Sequence, residues 1–200
     1  AYFGLETGMQ YINKIGELGY SLGFNAVLQN SKVLKYDEPS YRFDYMKRTG
    51  KPADSLWGLT NIGKFSSDSE ALAVNQKYDP TLHEGDLKYK DLNSDNVIDD
   101  NDMSSIGHTA PRLYYSLNAK LYYKNFEMTL IGTGRALYDI PLTNKYFLNG
   151  WGDNNYSSFV NNNVGGAYPK LTYYKVNNNF VNSDFWLTKG GYFKMQNVEL

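Results

Sequence analysis

Residues 113–135 decide the fold class, and their sequence is LYYSLNAKLYYKNFEMTLIGTGR. Within Leu113–Tyr123 every second residue is apolar or aromatic, and most of the residues between them are polar. This period of two is typical of a β-strand with one apolar and one polar face. After the pair Lys124 and Asn125, the alternation continues through Phe126–Arg135. Two such strands around a tight turn predict a β-hairpin.

The same alternation occurs near the N-terminus, in residues 3–11 and 20–29, which are separated by a short turn within residues 15–19. These two strands predict a second hairpin, and a further strand is predicted to begin near Tyr192. The composition agrees, since 16% aromatic residues and 18 glycines favour β-structure over helices. The sequence therefore predicts an all-β, antiparallel fold with about five strands.

The connections are unequal in length, because the turns inside the hairpins are short and the segments between the hairpins are long. The predicted organisation is a hairpin over 1–34, a long loop over 35–111, a hairpin over 112–135, a long loop over 136–184 and the start of a strand over 185–200. A tilted strand of about ten residues can cross a bilayer. Short turns on one side and long loops on the other are typical of a transmembrane β-barrel, with the long loops extracellular.

The alternation has a second interpretation, because a soluble antiparallel sheet also has one face on a core and one in water. The rival hypothesis is a soluble β-sandwich, a calcium-dependent carbohydrate-binding or adhesion module. Other classes are excluded. With 20 basic and 21 acidic residues there is no electrostatic basis for nucleic-acid binding. The absence of cysteine removes disulfide scaffolds and thiol nucleophiles, and the lack of an apolar run of about 18 residues excludes a transmembrane helix.

Three stretches together resemble the SusC/RagA family of TonB-linked (TonB-dependent) outer-membrane proteins. They are Gly85–Asp100 followed by Ile106-Gly107 and Pro111, Arg48–Pro52 with Trp57-Gly58, and Ser183–Leu187 with Gly191–Lys194 and Asn197-Val198. The matches lie in the order expected for the family and extend over almost the whole chain. The resemblance covers the C-terminal region of the family's barrel.

The resemblance implies a barrel of about 22 strands with an N-terminal plug, of which this chain would supply about five strands and two extracellular loops. It implies import of glycans, oligosaccharides or peptides through the outer membrane of a Gram-negative, Bacteroidetes-type bacterium. The implied partners are a SusD-like lipoprotein as a lid and TonB, which would act through a segment outside this chain. The plug and the C-terminal end of the barrel are likewise expected to lie outside it.

A run of acidic and amide residues within the long first loop has the spacing of a calcium-binding loop. The ligand positions 1, 3, 5, 7, 9 and 12 would be Asp91, Asn93, Asp95, Val97, Asp99 and Asp102. Carboxylate, amide and carbonyl oxygens are the ligands that Ca²⁺ prefers, so calcium is the predicted cofactor. Position 6 is an asparagine instead of glycine, and position 12 is an aspartate instead of glutamate. The alternative is a metal-free acidic turn held by side-chain to backbone hydrogen bonds.

Aromatic residues in the long loops are the candidates for substrate contact, because their faces can stack on sugars or peptide side chains. The three chosen are Trp57, Trp151 and Tyr168. The alternative is that they pack the loops against one another. No catalytic constellation is found: His83 and His108 lack metal-site spacing, and there is no nucleophile elbow. The sequence therefore predicts a protein that is not an enzyme.

Overall fold

The computed structural model describes residues 1–144, 146–148, 157–163, 166–171 and 176–200. Its strands are β1 (Tyr2–Ile15), β2 (Leu18–Ser31), β3 (Ser55–Gly58), β4 (Asn61–Lys64), β5 (Asn75–Gln76), β6 (Leu87–Tyr89), β7 (Val97–Ile98), β8 (Ser104–His108), β9 (Leu113–Tyr123), β10 (Phe126–Ala136), β11 (Asp139–Pro141), β12 (Leu187–Lys189) and β13 (Tyr192–Glu199). The helices are α1 (Asp68–Leu72) and α2 (Ser158–Asn163), with 3₁₀ turns at Asp44–Met46, Asp100–Asp102, Asn177–Phe180 and Asp184–Trp186. The prediction of an all-β fold is confirmed. Among the described helices, none has the length and apolarity needed to cross a membrane.

The largest element is a five-stranded antiparallel sheet in the order β1-β2-β9-β10-β13. Strands β1 and β2 each have 14 residues, β9 and β10 each have 11, and β13 has 8. In each hairpin only two residues connect the two strands. Gly16 and Lys124, the first residues of these turns, adopt φ angles of 60° and 53°. Positive φ values are typical of the tight turns that match the twist of paired strands. One irregularity, between Ile131 and Gly132, interrupts the pairing of β10 with β13.

The register places most of the apolar positions of the sheet on one face. One row across the sheet pairs Met9 with Phe24, Phe24 with Leu117, Leu117 with Gly132, and Gly132 with Met195. The neighbouring row lies on the opposite face, and each of its residues pairs with the next across the sheet. Its members are, in order, Gly8, Asn25, Ser116, Thr133 and Lys194. Because partners in register share a face, the period-two pattern of each strand gives the sheet an apolar and a polar side.

The long connections fold into a second body, here called the cap, which comprises the described residues within 32–112 and 137–191. It is attached to the end of the sheet opposite the two tight turns. Three clusters of buried side chains form its interior, namely Leu59, Leu87, Tyr89 and Ile98; Phe65, Ala71, Leu82 and Val176; and Val160, Tyr168 and Trp186. The segments predicted as long loops therefore contain short strands and packed apolar residues of their own.

The two connections that build the cap are joined to each other by backbone hydrogen bonds. The amide of Leu59 donates to the carbonyl of Asn182 at 2.8 Å, and the amide of Asp184 donates to the carbonyl of Leu59 at 3.2 Å. The end of the second connection also differs from the prediction. There β12 pairs with β11 before β13 starts at Tyr192. The region predicted as the start of one strand, residues 185–200, thus contains part of a 3₁₀ turn and two strands.

Candidate functional site

The polar face of the sheet carries a cleft next to the cap, with a volume of about 440 Å³. Its side-chain lining comes from four strands and consists of Asn25, Val27, Tyr114, Ser116, Thr133, Arg135, Tyr192, Lys194 and Gln196. The Arg135 guanidinium carbon lies 5.4 Å from the centre of the Tyr114 ring, which is cation–π distance. The Asn25 side-chain amide donates to the Ser116 hydroxyl at 3.3 Å. The cleft therefore combines positive charge, aromatic rings and neutral hydrogen-bonding groups.

Farther along the polar face, the surface is lined by glycines and amides. Gly8, Gln10, Gly23, Asn25 and Asn118 surround a smaller depression of about 290 Å³. A Cβ atom at position 23 would overlap the Asn118 side-chain amide. The Gln10 amide donates to the Ser21 hydroxyl at 3.1 Å. Glycine and amide residues thus line this part of the polar face.

The opposite face of the sheet is apolar and solvent-exposed. Leu5 is 68% exposed, Met9 is 70% exposed and Leu22 is 49% exposed. A groove of about 510 Å³ on this face is lined almost entirely by apolar atoms. Exposed apolar patches of this kind mark surfaces that contact a membrane or another protein.

Aromatic rings lie on both sides of the sheet close to the tight turns. Tyr11 and Tyr20 lie on the apolar face with ring centres 6.0 Å apart, and Tyr123 shares that face. Tyr122 pairs with Gly19 in register and lies on the polar face. A single step along a strand changes the face on which a side chain lies.

The acidic loop with calcium-ligand spacing lies in the cap, and its side chains hydrogen-bond within the loop. The Asp91 carboxylate accepts hydrogen bonds from the amides of Ser94 at 2.6 Å and Asn96 at 2.8 Å. Ser94 and Asn96 adopt φ angles of 61° and 63°. The Asp95 carboxylate accepts from the amide of Val97 at 2.9 Å. These contacts are those of an acidic turn closed by its own backbone amides.

Asp102, the twelfth position of the loop, is fully buried. Its carboxylate accepts hydrogen bonds from the amide of Leu92 at 2.8 Å and the amide of Asp99 at 2.9 Å. The Asp99 carboxylate in turn accepts from the amide of Asn101 at 2.7 Å. Asp102 thus joins the first and last parts of the loop, because its two oxygens bind amides seven positions apart.

Several of the predicted calcium ligands hydrogen-bond to one another or to backbone amides of the loop. Asn93 donates its side-chain amide to Asp95 at 2.8 Å, and Val97 uses its amide to bind Asp95. Among the described residues, no group of three or more histidine or acidic side chains is arranged to hold a metal ion. The assignment of Asp91, Asn93, Asp95, Val97, Asp99 and Asp102 as calcium ligands stays a prediction.

The three aromatic residues predicted as substrate contacts differ in their burial and surroundings. Tyr168 is 2% exposed and packs edge-on against Trp186 with ring centres 5.7 Å apart, so it supports the interior of the cap and does not present a face to a ligand. Trp57 is half-buried in β3, with the Arg48 guanidinium 5.5 Å from its ring centre. Trp151 lies outside the described residues. A contact of Trp57 with substrate stays a prediction.

A buried polar network holds the interior of the cap. Asn179 accepts a hydrogen bond from the amide of Leu87 at 2.8 Å and donates its side-chain amide to Asp86 at 2.7 Å. Asn178 donates to the carbonyl of Leu87 at 2.7 Å. Burial raises the pKa of Asp86, which is fully buried, and the hydrogen bond from Asn179 opposes that rise. Nothing in the sequence pattern distinguished this asparagine pair from the other polar loop residues.

An ion pair fixes the cap to the sheet at the start of β9. The Arg112 guanidinium donates to Asp54 at 2.7 Å, and the amide of Ala110 donates to the same carboxylate at 2.7 Å. Burial raises the pKa of Asp54, but the hydrogen bonds from Arg112 and Ala110 outweigh it and the pKa lies below its ordinary value. The sequence interpretation missed this pair, because its two members are 58 positions apart.

Comparison with solved structures finds the same fold in part of a larger protein. The chain has the fold of part of a solved peptide importer. That structure, the RagAB peptide importer in its open-open state, matches with a TM-score of 0.58 and 11% sequence identity, over 98% of this chain and 21% of the importer chain. No family model matches the sequence, and no curated protein is significantly similar to it.

At 11% identity the similarity to the importer establishes the fold, and the matched part of that importer is about a fifth of its chain. The present chain therefore spans a small part of such a protein. The polar cleft, the apolar face and the cap are the features that a function for this part of the molecule has to explain.

Proposed function

We propose that this chain forms part of the wall and outer surface of an outer-membrane nutrient importer of the SusC/RagA type. The observation that carries the proposal is the exposed apolar face of the five-stranded sheet, on which Met9, Leu22 and Phe24 are 70%, 49% and 36% exposed. Such a face is stable against lipid and unfavourable in water. Strands β1, β2, β9 and β10 are long enough to cross a bilayer when tilted, which takes about 9–11 residues.

The two sides of the sheet suit the two environments of a barrel wall. In an outer-membrane barrel the apolar residues face lipid and the alternating polar residues face the lumen. Here the lumen side would carry the cleft around Arg135 and Lys194 together with the depression lined by Gly8, Gly23 and Asn118. The two tight turns would lie on the periplasmic side, and the cap would lie outside the cell.

The rival hypothesis of a soluble β-sandwich is less favourable for this sheet. A sandwich buries its apolar face against a second sheet, so that side chains such as Leu22 and Leu117 interdigitate with a facing layer. The other described sheets have two strands each and belong to the cap. Leu22 and Leu117 are 49% and 46% exposed, so no described layer covers the apolar face.

The partners and the cargo belong to the proposal. A SusD-like surface lipoprotein would contact the cap from outside, and TonB would act on the importer through a segment outside this chain. The cargo would be an oligosaccharide or a peptide that passes along the polar face. The chemistry is binding and transport, since the polar residues of the cleft form no nucleophile and base pair. Calcium at the acidic loop is a separate hypothesis and carries none of the proposal.

Fractionation of the full-length parent protein tests the proposal. We expect the protein in the outer-membrane fraction, with solubility that depends on detergent and heat-modifiable migration on gels, which is typical of folded barrels. Deletion of the gene should abolish uptake of its oligomeric nutrient. A parent protein that is monomeric and soluble in buffer without detergent would contradict the proposal and favour the sandwich.

A further inference from the structure

The cleft on the polar face has an unbalanced positive charge. Arg135 and Lys194 both line it, and neither forms an ion pair with another described residue. Elsewhere in the described chain several surface lysines do have acidic partners, such as Lys124 with Glu17 and Lys189 with Asp139. Two uncompensated cations in one cleft attract an anionic ligand.

The register shows how close the two cations are. Arg135 pairs with Tyr192, and Thr133 pairs with Lys194, so Arg135 and Lys194 are diagonal neighbours on one face of adjacent strands. Diagonal neighbours on a sheet are about 7–8 Å apart, which lets two long side chains reach a single carboxylate. Both residues are exposed, so their charged ends are accessible from the lumen side.

The position of Arg135 prepares its side chain for binding. The guanidinium lies over the face of Tyr114, with its carbon 5.4 Å from the ring centre. Stacking restricts the planar group and leaves N–H donors at its edge. An arginine held in this way can donate two parallel hydrogen bonds to a carboxylate.

The remaining lining favours a peptide as the carrier of that carboxylate. Asn25, Ser116 and Gln196 provide both donors and acceptors, and each peptide group of a ligand has one N–H and one C=O to satisfy. The Asn25 amide is positioned by its hydrogen bond to Ser116 at 3.3 Å. Tyr192, 44% exposed, adds an aromatic surface for an apolar side chain.

We propose that this cleft, formed by Arg135, Lys194, Tyr114, Asn25, Ser116 and Gln196, binds the carboxylate of a short acidic peptide on its way through the importer. The inference rests on the proposed function and deepens it, because it names the class of cargo and the place on the wall where the cargo is held.

Binding measurements on the full-length importer, purified in detergent from outer membranes, test this proposal. The probes are an Asp-containing hexapeptide with a free C-terminus, and its analogue with Asn in place of Asp and an amidated C-terminus. The wild-type protein should bind the acidic peptide about 10- to 100-fold more tightly than the neutral analogue. The double variant Arg135→Gln/Lys194→Gln should lose that preference, and Arg135→Lys should keep part of it.

Lys120→Gln is the matched control. Lys120 lies on the same polar face and its substitution removes one positive charge, as each substitution of the double variant does. It pairs with Ser21 and Thr129, about 13 Å along the strand from Ser116. The control should bind both peptides as the wild type does. Equal loss of affinity in the control would overturn the assignment, because it would indicate a general effect of lumen charge.

Two further results would overturn the proposal. One is an unchanged preference for the acidic peptide in the double variant. The other is tight binding of oligogalacturonate by the wild type, with no binding of either peptide, which would assign the cleft to a uronic acid glycan. Failure of the proposed function would appear differently, as a parent protein that does not fractionate with the outer membrane.

Discussion

Arg112 and Asp54 form an ion pair at 2.7 Å where the cap meets strand β9. The Arg112 side chain is 10% exposed and the Asp54 side chain is 19% exposed. The same carboxylate binds the amide of Ala110 at 2.7 Å and the hydroxyl of Ser31, the last residue of β2, at 3.3 Å. The Asp54 side chain thus links the first connection of the cap to the last residue of β2 and to the residues that lead into β9.

Substitution Arg112→Met should loosen the attachment of the cap. The change leaves the carboxylate of Asp54 partly buried without its cation, which typically costs about 2–4 kcal/mol. We expect faster cleavage by trypsin within residues 32–112 of the folded protein, measured by gel electrophoresis over time. Lys124→Met is the control, because the side chains of Lys124 and its partner Glu17 are 60% and 66% exposed and the pair can be removed at little cost. Equal protease sensitivity of Arg112→Met and wild type would contradict the prediction.

The same ion pair predicts how acid affects the cap. Because the pKa of Asp54 is lowered by folding, its contribution is present above the ordinary aspartate pKa of about 4 and is lost as the pH falls through the lower folded value. The thermal stability of wild type should therefore exceed that of Asp54→Asn at pH 7, and the difference should shrink below about pH 4. A difference that is constant from pH 7 to pH 3 would exclude titration of Asp54 as the cause.

Asn179 should be among the least tolerant polar positions of the cap. In Asn179→Leu, the buried amide of Leu87 loses its acceptor and the carboxylate of Asp86 loses a donor. Each unsatisfied group costs about 1–3 kcal/mol, so the expected destabilisation is about 2–5 kcal/mol. Asn177→Ala is the matched control, since the Asn177 side chain is exposed on the same 3₁₀ turn. Thermal unfolding followed by tryptophan fluorescence gives the comparison.

The close contact between the two connections of the cap gives a further prediction. A Cβ atom at Gly58 would overlap the backbone carbonyl of Asn182, and a backbone atom cannot move aside as a flexible side chain does. Gly58→Ala should therefore break the hydrogen bonds between Leu59 and residues 182–184 and lower the melting temperature by several degrees. Gly191→Ala, whose nearest neighbours are 3.8 Å away, should melt like the wild type.

The sheet could be predicted from the sequence, and the cap could not, for a physical reason. Strand alternation is local, so the runs at 113–123 and 126–135 identify their own faces, and the register then follows from two tight turns. Tyr122 and Tyr123 are of the same residue type, and it is their parity in the strand, not their composition, that places them on opposite faces.

The contacts that hold the cap are non-local. Asp54 and Arg112 are 58 positions apart, and Leu87 and Asn179 are 92 positions apart, so their pairing leaves no periodic signal in the sequence. Tyr168 illustrates the same limit, because an aromatic residue in a polar segment suggests a binding surface, whereas its actual neighbours are Trp186 and Phe159. The cleft around Arg135 was also missed, since it combines side chains of four strands.

The acidic loop offers a test of its two interpretations. Asp91→Ala removes the acceptor for the amides of Ser94 and Asn96, so without any ion we expect a loss of about 1–2 kcal/mol in stability, measured in chelator. Isothermal titration with calcium then examines the metal hypothesis. Heat that is present in the wild type and absent in Asp91→Ala would support calcium binding. No heat at millimolar calcium would remove that hypothesis and leave the hydrogen-bonded turn.

Adjacent residues of β1 provide the most direct test of which face meets lipid. Met9 lies in the middle of the apolar face, in register with Phe24, and Gln10 lies on the polar face, in register with Gly23. A lysine on the lipid face near the bilayer midplane costs about 2–4 kcal/mol, whereas a lysine facing the lumen stays hydrated. Met9→Lys should therefore reduce the amount of folded full-length protein in the outer membrane, measured by heat modifiability, and Gln10→Lys should leave it unchanged. The opposite order would reverse the assignment of the two faces, and equal yields of the two variants would indicate that neither face contacts lipid.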